Sequence, residues 1–142
     1  MFANLPLLSI PVTIPLFTWI NHKSGPKRLL QLTNQSADKL SHWLIHTPLA
    51  YTKPDIPRAE RWIWRISHIC PKAACLERAC ALKTFLAFWG TPSTIVIGHD
   101  NTNSNILLHA WLETENTKYF YDEKFSANWR SDNDVLPSIP NV

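Results

Sequence analysis

Three residue types that together support nucleophilic catalysis occur in this chain as Cys75, His109 and Asp122. A thiol attacks only as thiolate, so it needs a base, and the base needs an acid to fix its tautomer. The cysteines themselves pose the first question, because Cys70, Cys75 and Cys80 fall five residues apart. Structural zinc sites draw their ligands from tight cysteine pairs with a second pair downstream. Here the downstream His99 and His109 form no such pair, and no C-x-x-C redox motif is present. Neither a metal nor another cofactor is therefore expected.

Helical geometry separates the three thiols. Ala59, Trp62, Ile63, Ile66 and Cys70 recur at three- and four-residue spacing, an amphipathic stripe opened by Pro57 and ended by Pro71. Cys70 is a buried structural thiol on that reading. A second helix is predicted from about Cys75 to Trp89, with Gly90 at its C-cap position and Pro92 beyond. Five residues turn a helix by about 500°, so Cys80 points about 140° away from Cys75. Glu77 and Thr84 mark the solvent-facing strip of this otherwise enclosed helix. Cys75 sits in the first turn, where the helix dipole and free amides favour thiolate and can build part of an oxyanion hole. Taken alone, a cysteine there is more commonly a buried packing residue.

Of six histidines, His22, His42, His46 and His68 lie in loop or helical segments with no acid in register. His109 differs. In NILLHAWLE, Ile106, Leu108, Ala110 and Leu112 form one apolar face, and Leu107, His109, Trp111 and Glu113 the other. If the polar loop 114–117 centres between Glu115 and Asn116, Glu113 opposes Lys118, Trp111 opposes Phe120 and His109 opposes Asp122. Directly opposed residues have Cβ atoms about 4.5–5.5 Å apart, within reach of a carboxylate–imidazole hydrogen bond. The same pairing is also what an ordinary cross-strand polar pair looks like.

These residues need elements to bring them together. At 142 residues, 45% hydrophobic and 18% charged, the chain suits one globular domain. A formal net charge of +3, with no basic run beyond Lys27-Arg28, gives no case for nucleic acid. Of seven tryptophans, Trp62, Trp64 and Trp111 lie within apolar patterns and read as core. Residues 5–20 are apolar but carry Pro6, Pro11 and Pro15, so short helical turns are expected there and no membrane span. That arm packs on the domain or binds a partner. Residues 27–46 suit helix, with a break near Asn34-Gln35-Ser36. Then STIVIG (Ser93–Gly98), NILLHAWLE and KYFYD (Lys118–Asp122) read as strands, the last two as a hairpin. The fold class is α+β: an N-terminal helical region (1–56) on a core (57–142) whose nucleophile-bearing helix packs on a small antiparallel sheet. An odd cysteine count excludes a full disulfide framework and fits the reducing cytoplasm.

The ordered set Cys75-Leu76-Glu77-Arg78-Ala79, Gly90 through Gly98, and His109-Ala110-Trp111-Leu112-Glu113, with an acid thirteen residues after the histidine, resembles a known family. It is similar to the transglutaminase-like cysteine peptidases that remove leaders from lasso-peptide precursors in bacteria. The resemblance spans about Pro57 to Asp122. It implies a papain- or transglutaminase-like fold, Cys75 as nucleophile, His109 as base and then acid, and Asp122 as orienter, with Asp132 and Asp134 as fallback acids. It further implies a precursor peptide cut at its leader–core junction and a separate ATP-dependent lasso cyclase. The region before Pro57 lacks the β-rich pattern of the leader-binding domain fused in some relatives, so a standalone peptidase with a leader-binding protein in trans is expected. Arg78, on the wheel between Phe85 and Trp89, pairs with Glu113 or binds substrate; Trp111 is a further substrate contact. Relatives usually have glycine in the hairpin turn; here Asn116 would supply the left-handed residue. Two other functions use the same residues: acyl transfer to an amine, and a non-catalytic peptide-binding scaffold.

Overall fold

The computed structural model describes residues 4–70, 72–100 and 108–131. In chain order these form α1 (Leu5–Leu44), a 3₁₀ turn (Pro48–Tyr51), α2 (Ile56–Ile69), α3 (Cys75–Ala87), β1 (Thr94–Asp100), β2 (Leu108–Glu113), β3 (Lys118–Tyr119) and β4 (Phe125–Arg130). Helices come first and an antiparallel sheet of order β3-β2-β1-β4 follows, an α+β architecture. Residues 105–107 of the expected second strand, and Asp132 and Asp134, lie outside the described residues.

The N-terminal region departs most from expectation. Instead of short turns, residues 5–24 form one helical stretch, and the break falls at Gly25 (φ 81°, ψ 169°), ahead of Pro26, rather than near Asn34. Pro11 and Pro15 each cost about 3 kcal/mol inside a helix. Against them, Leu7, Ile10, Ile14 and Phe17 recur on one face and are all 7% exposed or less. Burying each such side chain is worth about 1.5–3 kcal/mol, so packing wins. Asn34 causes no break, because its amide reaches out to the Ser131 carbonyl at 3.4 Å.

α2 starts as its sequence requires. The Asp55 side chain accepts the Arg58 N–H at 3.1 Å, with Pro57 in the first turn. Its stripe buries Ala59 and Ile63, with Trp62, Ile66 and Cys70 packed at the margin of the core. Trp64 leaves the expected core set: it is 43% exposed. α3 ends through Gly90, whose φ of 64° is the left-handed conformation a C-terminal glycine supplies, and Thr91 N–H closes back on the Leu86 carbonyl.

α3 is central, touching α1, α2, β1 and β2. Ala79, Cys80, Leu82, Phe85 and Leu86 are all enclosed. With neighbours on so many sides it keeps no solvent strip, and this corrects the expectation for Glu77 and Thr84, which are 1% and 9% exposed. The sheet's inner face gives Ile95, Ile97, Ala110, Leu112 and Trp129 to the helical core. Val96, Trp111 and Phe125 cluster separately. β4 is not legible in the sequence: in FSANWR only Phe125 and Trp129 are buried, too sparse an alternation to announce a strand.

Gly98 lies beside a register shift between β1 and β4. A Cβ there would sit 2.7 Å from Trp111 Cη2 and closer still to the Ser126 carbonyl oxygen, a backbone atom that cannot swing away. Gly98→Ala should destabilise the protein by about 1–3 kcal/mol, the usual range for overpacking. Chemical denaturation measures this, and an unchanged unfolding midpoint would contradict the close approach.

Candidate active site

The N-terminus of α3 places the thiol. Ala74 is extended (φ −120°, ψ −171°) and caps the helix, so Cys75 is its first residue. Cys75 is half-buried, and its sulfur hydrogen-bonds the His109 imidazole and the Ala110 backbone N–H. Burial pushes this thiol up; the two hydrogen bonds and the positive charge of the imidazole outweigh it, leaving Cys75 below the ordinary thiol range. Cys80 shows the contrast on the same helix. It is 0% exposed, and burial drives its thiol up to about 12.

The tautomer of His109 follows from its other partner. Nε2 lies 2.6 Å from the Phe120 carbonyl oxygen, which can only accept, so Nε2 carries a proton. In the neutral ring Nδ1 is then the free base and the nitrogen left for the thiol. The ring is fixed by stacking, 4.7 Å from Phe125 and 6.1 Å from Trp111. The hydrogen bond to Cys75 raises the His109 pKa; burial opposes this, and the Phe120 carbonyl and the charges of Cys75 and Asp122 add to it, so the net shift is upward. One pKa lowered and the other raised bring both groups toward neutrality and favour the thiolate–imidazolium form there.

The hairpin register begins as predicted: Glu113 pairs with Lys118 and Leu112 with Tyr119. It then stops. Phe120 takes a left-handed φ of 62° and turns the chain off the ladder, so neither Trp111–Phe120 nor His109–Asp122 forms as a cross-strand pair. The early end of β3 leaves that edge of β2 open beside Cys75. The Asp122 carboxylate instead accepts the Lys124 N–H at 3.2 Å and pairs with the Lys124 ammonium at 3.9 Å. The position expected to orient the imidazole by a hydrogen bond is thus filled by a backbone carbonyl, and Asp122 acts on His109 through charge. Asn116 needs no left-handed conformation; among described non-glycine residues only Lys72 and Phe120 have positive φ.

Arg78 does not meet Glu113. Its guanidinium stacks 4.1 Å over the Trp64 ring, and its Nε–H donates to Ser67 Oγ at 3.1 Å, tying α3 to α2. Glu113 is held by Arg130, Lys118 and the Trp111 indole N–H. Burial pushes its carboxyl up, but these partners prevail and keep it below the usual range. Trp111 is 1% exposed and lies against His109, so it supports the imidazole rather than presenting a surface to substrate. Trp64 and Phe120 meet edge to face at 6.1 Å, with the Phe120 carbonyl on His109 and the Trp64 ring under the Arg78 guanidinium.

Two groups at the site are backbone atoms, the Phe120 carbonyl and the Ala110 N–H, and no residue pattern announces them. A third had a legible signal. Glu77 falls three residues after the N-cap, the position from which a carboxylate reaches back to the cap N–H; it accepts from Ala74 N–H at 3.1 Å and from Asn21 Nδ2 at 2.9 Å. Among the described residues no group of three or more His, Cys, Asp or Glu is placed to hold a metal ion, and no helix is long and apolar enough to cross a membrane.

A cysteine at a helix N-terminus, hydrogen-bonded to a histidine on an antiparallel sheet, is the arrangement of a cysteine-type acyl-transfer enzyme. Residues 32–128 match the family model described as the transglutaminase-like superfamily, which covers most of the chain, and the chain belongs to that superfamily. Its members are generally cysteine-type peptidases or acyltransferases. No curated protein and no solved structure matches the chain significantly.

Iodoacetamide tests the electrostatics. At pH 7 Cys75 should be alkylated at least about tenfold faster than Cys80, read by peptide mass spectrometry. His109→Ala removes a hydrogen bond and a positive charge that favour thiolate, so it should slow Cys75 at neutral pH and move the acid limb of its rate profile upward. Equal labelling of the two thiols, or a profile indifferent to His109, would contradict the assignment.

Proposed function

We propose that the protein is a cysteine peptidase that cuts a ribosomally made lasso-peptide precursor at its leader–core junction. The observation that carries the catalytic part is the hydrogen bond between Cys75 at the head of α3 and His109 on β2. The precursor class is supported by the motif order Cys75–Ala79, Gly90–Gly98 and His109–Glu113.

The chemistry follows from the geometry. The Cys75 thiolate attacks the scissile carbonyl carbon, and the carbonyl π electrons move to oxygen. Amides of the first turn of α3, free of intrahelical partners, face the developing oxyanion. Collapse breaks the C–N bond as the His109 imidazolium protonates the leaving amine, which is the new N-terminus of the core. The leader remains as a thioester on Cys75. Water, deprotonated by the now neutral His109, attacks the thioester and releases the leader carboxylate and the thiol. The Phe120 carbonyl holds Nε2–H throughout, so the base that acts is Nδ1. Arg78 and Trp64, stacked beside the site, contact the peptide.

A leader-binding protein in trans presents the precursor, and a separate ATP-dependent cyclase consumes the freed core amine. The site lies in the cytoplasm on this reading. An amine in place of water would make the same acyl-enzyme a transferase; with water and a primary amine both present, the partition of the leader product between carboxylate and amide, read by mass, separates the two.

The test is incubation with a lasso precursor, with and without its leader-binding protein, followed by mass spectrometry. Cys75→Ala should abolish cleavage. His109→Ala should lower kcat by about 10²–10⁴, the usual worth of general acid–base catalysis. Asp122→Asn, which removes only a charge acting at a distance, should lower it by about tenfold or less. Cleavage that survives Cys75→Ala would end the proposal, and a loss on Asp122→Asn equal to that of His109→Ala would restore Asp122 as the direct orienter.

A further inference from the structure

The reaction above makes no use of the most deeply enclosed acid near the nucleophile. Glu77 is 1% exposed, two residues after Cys75 and on the same first turn. One carboxyl oxygen accepts the Ala74 N–H at 3.1 Å, and the other accepts Asn21 Nδ2 at 2.9 Å. Asn21 belongs to α1, fifty-six residues away and just before the break at Gly25. The oxygen of that amide, Asn21 Oδ1, is buried without a hydrogen-bond partner.

We propose that Glu77 is a positioning residue: its carboxyl group clamps the head of α3 to Asn21 of α1, and so holds Cys75 in register with His109 while placing a carboxylate on the turn that carries the thiol. The proposal rests on Cys75 being the nucleophile and adds how the N-terminal helix bears on it.

Both halves have physical grounds. An unpaired peptide N–H at a partly buried helix start is costly, and Ala74, lacking a side-chain acceptor, cannot cap the helix itself. Glu77 supplies the missing acceptor from inside the helix. A carboxyl group so placed must be held by something beyond its own helix, and Asn21 does this. The charge works against reactivity: Glu77 pushes the Cys75 thiol up, opposing His109 and the Ala110 N–H. Other charged or titratable groups facing this region are His22 and Lys72, which line the same cavity as Asn21 and Glu77, and Asp122, which acts through His109. The nucleophile's position is thus secured at some expense of thiolate.

Glu77→Gln separates the two effects. The glutamine carbonyl still accepts the Ala74 N–H, and its amide can donate to Asn21 Oδ1 once the asparagine flips, satisfying the oxygen now unpaired. Geometry is kept and the charge is gone. The rate of Cys75 alkylation by iodoacetamide is measured from pH 5 to pH 9 on the full chain, resolved by peptide mass. With less opposition to the thiolate, Glu77→Gln should react about two- to fivefold faster at pH 6, with its acid limb displaced downward. Asn21→Ala leaves the charge and cuts the clamp; as the thiol loses its alignment with the imidazole, its acid limb should move upward, opposite to that of Glu77→Gln, and its rate at pH 6 should fall several-fold. Asn21→Gln, which keeps the amide donor, should recover part of the rate. A carboxyl group that merely stabilises the helix would leave the Glu77→Gln profile superimposable on the original, and that result overturns the proposal. So does an Asn21→Ala protein whose Cys75 reacts as before. Alkylation needs no peptide substrate, so failure here is distinguishable from failure to cleave a precursor.

Discussion

The whole arrangement depends on one hydrogen bond, between a thiol on a helix and an imidazole on a strand. Each partner is ordinary without the other. Burial alone would raise the Cys75 thiol, as it does for Cys80, and burial alone would lower His109. Their contact reverses both tendencies. The fold can be understood as what is needed to bring the first turn of α3 against the open edge of β2 and keep it there.

Several features serve that contact without touching substrate. β3 ends after Tyr119, which opens the strand edge and turns the Phe120 carbonyl onto Nε2 of His109. Trp111 and Phe125 stack on the imidazole, and the absence of a Cβ at Gly98 makes room for Trp111. On the helical side, Arg78 ties α3 to α2 through Ser67 and Trp64, and Glu77 ties it to α1 through Asn21. α3 is therefore held from both sides, which suits an element that must present one sulfur atom at one position.

The sequence made the larger parts of this legible. Apolar periodicity located α2 and α3, Gly90 marked the end of α3, and alternation put His109 and Trp111 on one face of β2. Opposite charges on Glu113 and Lys118 gave the hairpin register. What was not legible had physical causes. The prolines of residues 5–20 argued for broken turns because propensity is local, whereas the burial of Leu7, Ile10, Ile14 and Phe17 that overrides it is tertiary. Asp122 falls opposite His109 only if the ladder continues past Tyr119, and a single left-handed residue, Phe120, ends it. Backbone donors and acceptors have no letter in a sequence. Glu77 was assigned to solvent because a helical wheel shows angles but not how many neighbours surround the helix.

The central claim is that the Cys75–His109 pair forms a covalent acyl-enzyme with a peptide. Acid quenching during turnover of a lasso precursor, followed by digestion and mass spectrometry, tests it directly. The account predicts a thioester on the Cys75 peptide carrying the leader's C-terminal acyl group, one water lighter than the corresponding leader carboxylic acid, with the core already released as a free amine. Cleavage proceeding with no adduct on Cys75, or with the adduct on another residue, would contradict it.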